Sequence, residues 1–432
     1  MTALPVGKGG EMHALLSRLY PICRSLTGNG VRETLSILRE HMPRLEVREV
    51  PSGTPCLDWT VPPEWNIDAG WIEDQTGRRW VDFERNNLHV MGYSLPIDLW
   101  LTPDELDAHL FSLPDQPEAI PYVTSYYAPR WGFCVTQRVR ERMRAHDGKF
   151  RAVIVSRLSQ GFLSYGEWLL PGDTDREVLL STYICHPSMA NDNLSGPVLA
   201  ASLAQWLEER PRRLSYRILF IPETIGSIVY LAEYLQLLKT RVSAGYVLTC
   251  CGDERAWSFL PSRSGDTLAD RTARHVLRHE TPGYTEYSFL SRGSDERNWC
   301  SPGVDLPVAS IMRSKYGTFP EYHTSLDGPD WVTPRGLEDS LRIYRRCLEV
   351  LERNGKWQTT CLGEPQLGKR GLYPTLSLAG SAEGWVRDMK NILAYSDGSL
   401  DLLSLADIVG LPFERCWEIV KKLEDAALLM PV

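Results

Sequence analysis

Four short stretches of the 432-residue chain carry side chains that bind metals or move protons. The first is Cys185-His186-Pro187-Ser188-Met189-Ala190-Asn191-Asp192-Asn193-Leu194-Ser195-Gly196. His186 offers an imidazole nitrogen and Asp192 a carboxylate, and both suit first-row divalent metals. Asn191-Asp192-Asn193 also reads as a turn and helix cap, which would account for these residues without any metal. The second stretch is Phe220-Ile221-Pro222-Glu223-Thr224-Ile225-Gly226-Ser227. Glu223 could take a proton from a metal-bound water, or simply sit favourably against a helix dipole. The third is Phe319-Pro320-Glu321-Tyr322-His323-Thr324-Ser325-Leu326-Asp327, where His323 is a second imidazole ligand or a loop histidine bonded to backbone. The fourth, Arg292-Gly293-Ser294-Asp295-Glu296-Arg297, is a charged loop whose simplest reading is a solvated turn.

Residues so far apart need a scaffold that gathers them. Strands are predicted at Ala152–Val155, Val178–Ile184, Tyr216–Ile221, Gly245–Cys250 and Pro307–Ile311. Helices are predicted at Gly196–Glu209, Ser227–Leu238, Thr267–His279 and Gly336–Arg353. This alternation implies an α/β fold, a mixed and mostly parallel sheet sandwiched by helices. Ligands in such folds sit outside the carboxyl ends of the strands. The loops after Ile184, Ile221 and Cys250 should therefore converge on one crevice. Residues 1–50, with two amphipathic helices broken near Ser25–Gly30, belong with residues 149–360 in this domain.

Residues 51–148 are rich in Pro, Trp, Tyr and Asp and read as a β-rich insert. Its tryptophans (Trp59, Trp65, Trp71, Trp80, Trp100, Trp131) either roof a pocket or build a core of their own. After a Gly/Pro-rich link at Gly363–Pro374, residues 365–432 read as a small winged-helix-like domain. Its helices are placed at Trp385–Tyr395, Leu400–Val409 and Phe413–Leu428.

Composition sets the outer limits. A hydrophobic fraction of 43% and a charged fraction of 24% are those of a folded globular protein. The net charge of −8 lacks the footprint of a nucleic-acid binder, and Arg415, Lys421 and Lys422 are offset by nearby acids. Nucleic acid is therefore not the expected partner, and packing or dimerisation is the simpler role for the tail. Homo-oligomerisation stays open. No apolar run is long enough for a membrane span, and no signal peptide is evident. The ten cysteines form no Cys-x-x-Cys pair, which fits a reduced, cytoplasmic protein.

Taken together, the strings around 185–196, 220–227 and 319–327 resemble the zinc aminopeptidase superfamily, which also contains glutaminyl cyclases. The whole chain resembles a subfamily of aminopeptidase-like proteins with a β-rich insert and a C-terminal winged helix. Members often accompany polysaccharide or natural-product biosynthesis genes. The resemblance implies metal ligands at His186, Asp192 and His323 and a general base at Glu223. It also places Ser294-Asp295 in the family's Ser-Asp loop.

The chain departs from the family pattern at three places. A second glutamate ligand falls at Thr224, a strand-end aspartate ligand at Thr249 or Cys250, and the aspartate orienting the first histidine at Ser188. Three ligands remain, enough for one catalytic divalent ion with an open position, zinc being the favoured metal. Cys250, Asp295 or Glu296 could restore a lost ligand. The expected activity is metal-dependent hydrolysis of an amide or peptide bond, in a small molecule or short peptide. Asp295 and Glu296 are candidates to hold a substrate amine, and Tyr322 and Arg292 to stabilise an oxyanion. The competing expectation is a non-catalytic protein that grips a ligand or partner on a degenerate peptidase fold. A DNA-binding regulator is a third, disfavoured by the acidic charge.

Overall fold

The computed structural model describes residues 7–372 and 381–432, so the last two residues of the predicted link lie outside the described residues. One eight-stranded sheet runs in the order Glu46–Pro51, Phe162–Leu170, Ser215–Ile221, Glu177–Tyr183, Val242–Val247, Val308–Met312, Ser258–Leu260, Thr285–Glu286. Its central four strands pair in parallel, and antiparallel strands flank them. Helices flank the sheet, as the strand–helix alternation requires. Every residue of Glu177–Tyr183 is buried, as expected for a strand covered on both faces. The predicted helices appear at Ser195–Glu208, Ile225–Arg241, Leu268–Glu280 and Pro334–Arg353.

One strand belongs elsewhere. Ala152–Val155 lies within Phe150–Ser159, which pairs with Glu64–Asp74 and Ile97–Leu101 in a separate antiparallel sheet of four strands. Alternation marked it as a strand but could not name its partners. Phe150, Ala152 and Ile154 point into a core with Ile72, Val81, Leu106, Phe133 and Met143. Trp80 and Trp131 pack against that core, while Trp65 is buried face to face with Tyr93. Three of the six named tryptophans, Trp65, Trp80 and Trp131, thus serve packing.

The chain divides into two compact units. One comprises residues up to Ala269 with Thr285–Leu341, and the other Asp270–Tyr284 with Arg342–Val432. The second contains a winged helix: helices Ser381–Tyr395, Leu402–Val409 and Phe413–Asp425, with a sheet ordered Asp397–Asp401, Lys356–Thr359, Leu429–Pro431. The helix predicted from Leu400 starts two residues later because Asp401 caps it, accepting from Ser404 N at 2.9 Å. Gly410, at φ 70°, ends it in the left-handed region. Within this unit His275 Nε2 accepts from Phe413 N at 3.0 Å, which leaves Nδ1 to donate to Asp407 at 2.8 Å.

A buried charge cluster ties three strands of the large sheet to a helix. Arg217 donates to Glu177 at 2.6 and 3.0 Å, and also to Glu167 and to the Tyr230 hydroxyl at 2.6 Å. Its side chain is 4% exposed. Removing the guanidinium would take the central partner from two buried carboxylates and leave Glu167 to Arg48 at 3.1 Å and Glu177 to Arg241 at 3.5 Å, which costs about 3 kcal/mol, the low end for breaking a buried pair. Arg217→Met is therefore expected to lower the unfolding free energy by that amount in urea titration. A loss below about 1 kcal/mol would show that the acids are relieved by other means.

Candidate active site

The three parallel strands Glu177–Tyr183, Ser215–Ile221 and Val242–Val247 end side by side, and their exit loops stay in register. Ile184 N donates to Ile221 O at 2.9 Å, and Leu248 N to Ser181 O at 2.8 Å. Cys185 and His186 leave the first strand, and Pro222 and Glu223 leave the second. After the first exit, Ala190–Leu194 makes a wide irregular turn, with Asp192 and Asn193 outside helical φ/ψ.

The neighbours of Asp192 fasten that turn. Asn191 Oδ1 accepts from Gly252 N at 2.8 Å, and its Nδ2 donates to Asp253 at 3.1 Å. Asn193 Nδ2 donates to Thr182 Oγ1 at 3.0 Å and Leu248 O at 3.2 Å, while its Oδ1 accepts from Gly196 N at 3.3 Å. Gly196 is required by contact, since a Cβ there would lie 2.2 Å from Leu248 O. Asn193 thus behaves as a turn residue, accepting from Gly196 N at the start of the next helix, while Asn191 reaches across to the 252–253 loop and caps no helix. The turn-and-cap interpretation does not account for Asp192, which points elsewhere.

Asp327 supplies the remaining restraint. Its carboxylate accepts from Asn191 N at 2.7 Å and Asp192 N at 2.9 Å, and Ala190 N donates to its carbonyl at 2.8 Å. Burial pushes this carboxyl up, and the two N–H donors, one to each oxygen, pull it back toward the ionised form. Because Asp327 lies four residues after His323, it joins the Asp192 turn to the His323 loop.

The outcome is a compact cluster. Ligand atoms of His186, Asp192 and His323 all lie within 4.8 Å of one another. His323 Nε2 is 3.0 Å from Asp192 Oδ2, near the ~3.3 Å edge of a tetrahedron of Zn–N and Zn–O bonds. Burial pushes His186 down to about 4, so its imidazole is neutral near pH 7, as a ligand must be. Burial alone would raise Asp192, but His186, His323 and the Tyr183 hydroxyl together hold it below the usual range. Donor types, spacing and protonation therefore fit one divalent ion.

They fit a second ion less well. Tyr183 OH donates to Asp192 Oδ1 and lies 2.7 Å from Thr249 Oγ1, so one carboxylate oxygen is already engaged. Among the described residues Cys250, Asp295 and Glu296 join no metal-ligand cluster. Cys250 is buried, and burial raises its thiol well above the usual value. Ser188, at the position of the family's orienting aspartate, donates to Tyr20 O at 3.0 Å, and His186 Nδ1 is buried without a hydrogen-bond partner.

Glu223 Oε2 lies 3.7 Å from His186 Nε2, and the side chain is 20% exposed. Burial, then the carboxylates of Asp295 and Asp192, push it well above the ordinary carboxylate range. The Cys185 thiol accepts from Glu223 N at 3.2 Å. Beside the cluster lies a cavity of about 490 Å³. Its walls include Trp59, Tyr122, Tyr126 and Tyr127 from the insert, with Glu223, Thr224, Arg297 and Asn298 opposite.

Four expected substrate residues are not part of that lining. Asp295 Oδ1 accepts from Thr224 N and Ser227 Oγ, each at 2.8 Å, and so closes the start of helix Ile225–Arg241. Glu296 accepts from Gly293 N at 2.9 Å, Ser294 N at 3.1 Å and the Tyr316 hydroxyl. The Arg292 head is exposed and lies over Phe289, 4.9 Å from the ring centroid. Tyr322 stacks on the His323 ring at 3.9 Å and steadies it from outside the cavity. The solvated-turn interpretation of 292–297 fails for Ser294, Asp295 and Glu296, which are buried.

Tyr122 is the residue that sequence reasoning missed. Its ring centroid sits 5.2 Å from each of His186 and His323. Its N–H donates to His323 O at 2.8 Å, and Ile120 and Ser325 exchange further hydrogen bonds. Only the polar–aromatic run Tyr122-Val123-Thr124-Ser125-Tyr126-Tyr127 could have pointed to it.

Fold and site together define an aminopeptidase-like α/β protein. A zinc aminopeptidase from Bacillus subtilis aligns with a TM-score of 0.57 at 13% identity, over 81% of this chain and 95% of that one. An M28 peptidase precursor from Shewanella amazonensis aligns with a TM-score of 0.57 at 11% identity, over 79% and 92%. At such identities the likeness is one of fold alone. Residues 13–354 match a family described as a domain of unknown function, DUF4910, and residues 355–431 match a winged helix-turn-helix family. The chain belongs to the DUF4910 family and carries a winged helix after it. A Clostridium acetobutylicum protein, named for polysaccharide biosynthesis and an aminopeptidase-like domain, is 43% identical over 413 residues, 94% of this chain and 93% of that protein. A crystal structure from the same organism, provisionally named a peptidase, aligns with a TM-score of 0.92 at 42% identity, over 98% and 96%. No helix among the described residues is long and apolar enough to cross a membrane.

The clamp at Asp327 gives a direct test. Asp327→Asn keeps one acceptor oxygen but faces two N–H donors, so the Asp192 turn should loosen. Zinc affinity, measured by competition with a chromophoric chelator, is expected to fall about 10–100-fold. Unchanged affinity would show that the turn holds its shape without the carboxylate.

Proposed function

We propose that the protein is a metal-dependent hydrolase of an amide or peptide bond. The observation that carries this is the His186/Asp192/His323 cluster with Glu223 beside it, where His186, His323 and Glu223 line one cavity. His186, Asp192 and His323 would hold one divalent ion, zinc being best suited to this mixed nitrogen and oxygen set. Such an ion supplies Lewis acidity, which polarises a carbonyl oxygen and acidifies nearby water.

The chain's own residues do the rest. Glu223 takes a proton from water at its carboxylate and returns it to the leaving nitrogen. Burial and the neighbouring Asp295 and Asp192 carboxylates raise its proton affinity, which favours accepting that proton. Asp295 acts through Glu223 as a positioning residue, since it fixes the backbone at Thr224. Tyr322 and Tyr122 hold the His323 ring and backbone in place. The aromatic wall excludes water and receives the apolar part of a small molecule or short peptide.

A second reading has its own support. Thr224 and Thr249 offer no carboxylate, and Tyr183 engages one oxygen of Asp192. These features favour a protein that binds a ligand on a peptidase fold without turnover.

Elemental analysis and kinetics separate the two. The hydrolase reading expects about one zinc per chain, loss of amide hydrolysis on chelation and recovery on zinc addition. Glu223→Gln should keep the metal and lose about 100-fold or more in kcat. Unchanged turnover in that variant removes Glu223 from the role, and substoichiometric metal favours the binding reading.

A further inference from the structure

An aminopeptidase must neutralise the substrate's ammonium group, and carboxylates do this best. The cavity is poorly equipped for it. Among its lining residues the one carboxylate is Glu223, already committed to proton transfer. Asp295 and Glu296 are buried and turned toward Thr224, Ser227, Gly293, Ser294 and Tyr316.

The wall carries a cation instead. Arg297 lines the cavity next to Asn298 and Thr224. Its guanidinium donates to Thr224 Oγ1, and no carboxylate among the described residues forms an ion pair with it, although its charge acts on Glu223 and Asp295. Asn298 Nδ2 donates to Ser227 Oγ at 2.8 Å, which fixes the amide beside it. Thr224 and Ile225 on the same wall begin the 17-residue helix Ile225–Arg241, whose start is already closed by Asp295, so the guanidinium is the wall's free positive group. A guanidinium with open donors matches the oxygens of a carboxylate or phosphate. Elsewhere in the lining, Trp59, Tyr122 and Tyr127 offer ring surface to an apolar acyl group.

We infer that the cavity selects an amide whose amine portion carries an oxyanion, a carboxylate or a phosphate, which Arg297 receives, rather than a peptide with a free α-amino group. This rests on the hydrolase reading of the same site. In the reaction, the water oxygen bonds to the amide carbon and the C–N bond breaks. A water proton goes to the leaving nitrogen, giving a carboxylic acid and an amine that keeps its oxyanion.

The test uses the full-length, zinc-loaded protein with four probes: N-benzoylglycine, its neutral twin N-benzoylglycinamide, N-benzoyl-O-phosphoethanolamine and phenylalanine anilide. One of the two anionic amides is expected to exceed the neutral twin in kcat/KM by about 10–100-fold, the range of a hydrogen bond to a charged group. Which of them leads distinguishes carboxylate from phosphate. Arg297→Met should raise KM for that anion by the same factor and change the neutral twin far less, any change common to both probes reporting the loss of its charge near Glu223. Arg297→Lys should fall between, because it keeps the charge and loses the fork. Calorimetric titration of Glu223→Gln, with and without Arg297→Met, reads anion binding independently of turnover. Binding that depends on Arg297 without any hydrolysis would sink the hydrolase reading and leave the anion site standing. Hydrolysis indifferent to charge, preference for phenylalanine anilide, or equal effects of Arg297→Met on charged and neutral probes would overturn the anion site. So would the absence of measurable anion binding.

Discussion

The candidate site hangs on a carboxylate that touches no substrate. Asp327 accepts two consecutive main-chain N–H groups, those of Asn191 and Asp192. These amides sit in an irregular turn, where helical hydrogen bonding is not available to satisfy them, and leaving them buried and unpaired would be costly. The same interaction fixes the distance between two chain segments more than a hundred residues apart. Asp192 and His323 meet because their supports are joined, and their own attraction adds to a geometry already imposed. Asn191 extends the restraint to Gly252 and Asp253 after the third strand.

The backbone near the site is unusual in another way. Of the nine described non-glycine residues with positive φ, four are Ser188, Thr224, Cys250 and His323. Three of these follow strand exits, and His323 is itself a candidate ligand. Such conformations cost of order 1–3 kcal/mol each and persist only where surrounding contacts impose them. Asp295 imposes one at Thr224 by accepting its N–H. The Arg217 cluster lies in the sheet from which these loops emerge, and it makes the supporting strands hard to shift.

Much of this was legible in the amino-acid order, for a physical reason. In a parallel sheet the chemistry collects where strands end, so polar strings directly after apolar runs mark the site. His186, Asp192 and Glu223 were found that way, and His323 by the string around it. What stayed hidden depended on pairing and direction. Phe150–Ser159 has the alternation of a strand, but nothing in it names Glu64–Asp74 as its neighbour. Asp295 and Glu296 looked like free carboxylates because sequence shows charge but not which donors surround it. Tyr122 was missed because it reaches the histidines from the insert, through a loop with no metal-binding pattern. Arg297 was passed over as one end of a charged turn.

The join between the insert and the His323 loop also bears on how such proteins can diversify. Tyr122 N–H donates to the carbonyl of His323, and the segment that makes this bond also supplies much of the aromatic wall. Selection acting on that segment to accommodate a new compound therefore tugs on a candidate metal ligand through the main chain. The cavity wall and the His323 loop are mechanically linked, so an insert transplanted from a distant relative would have to bring along its own matching histidine loop.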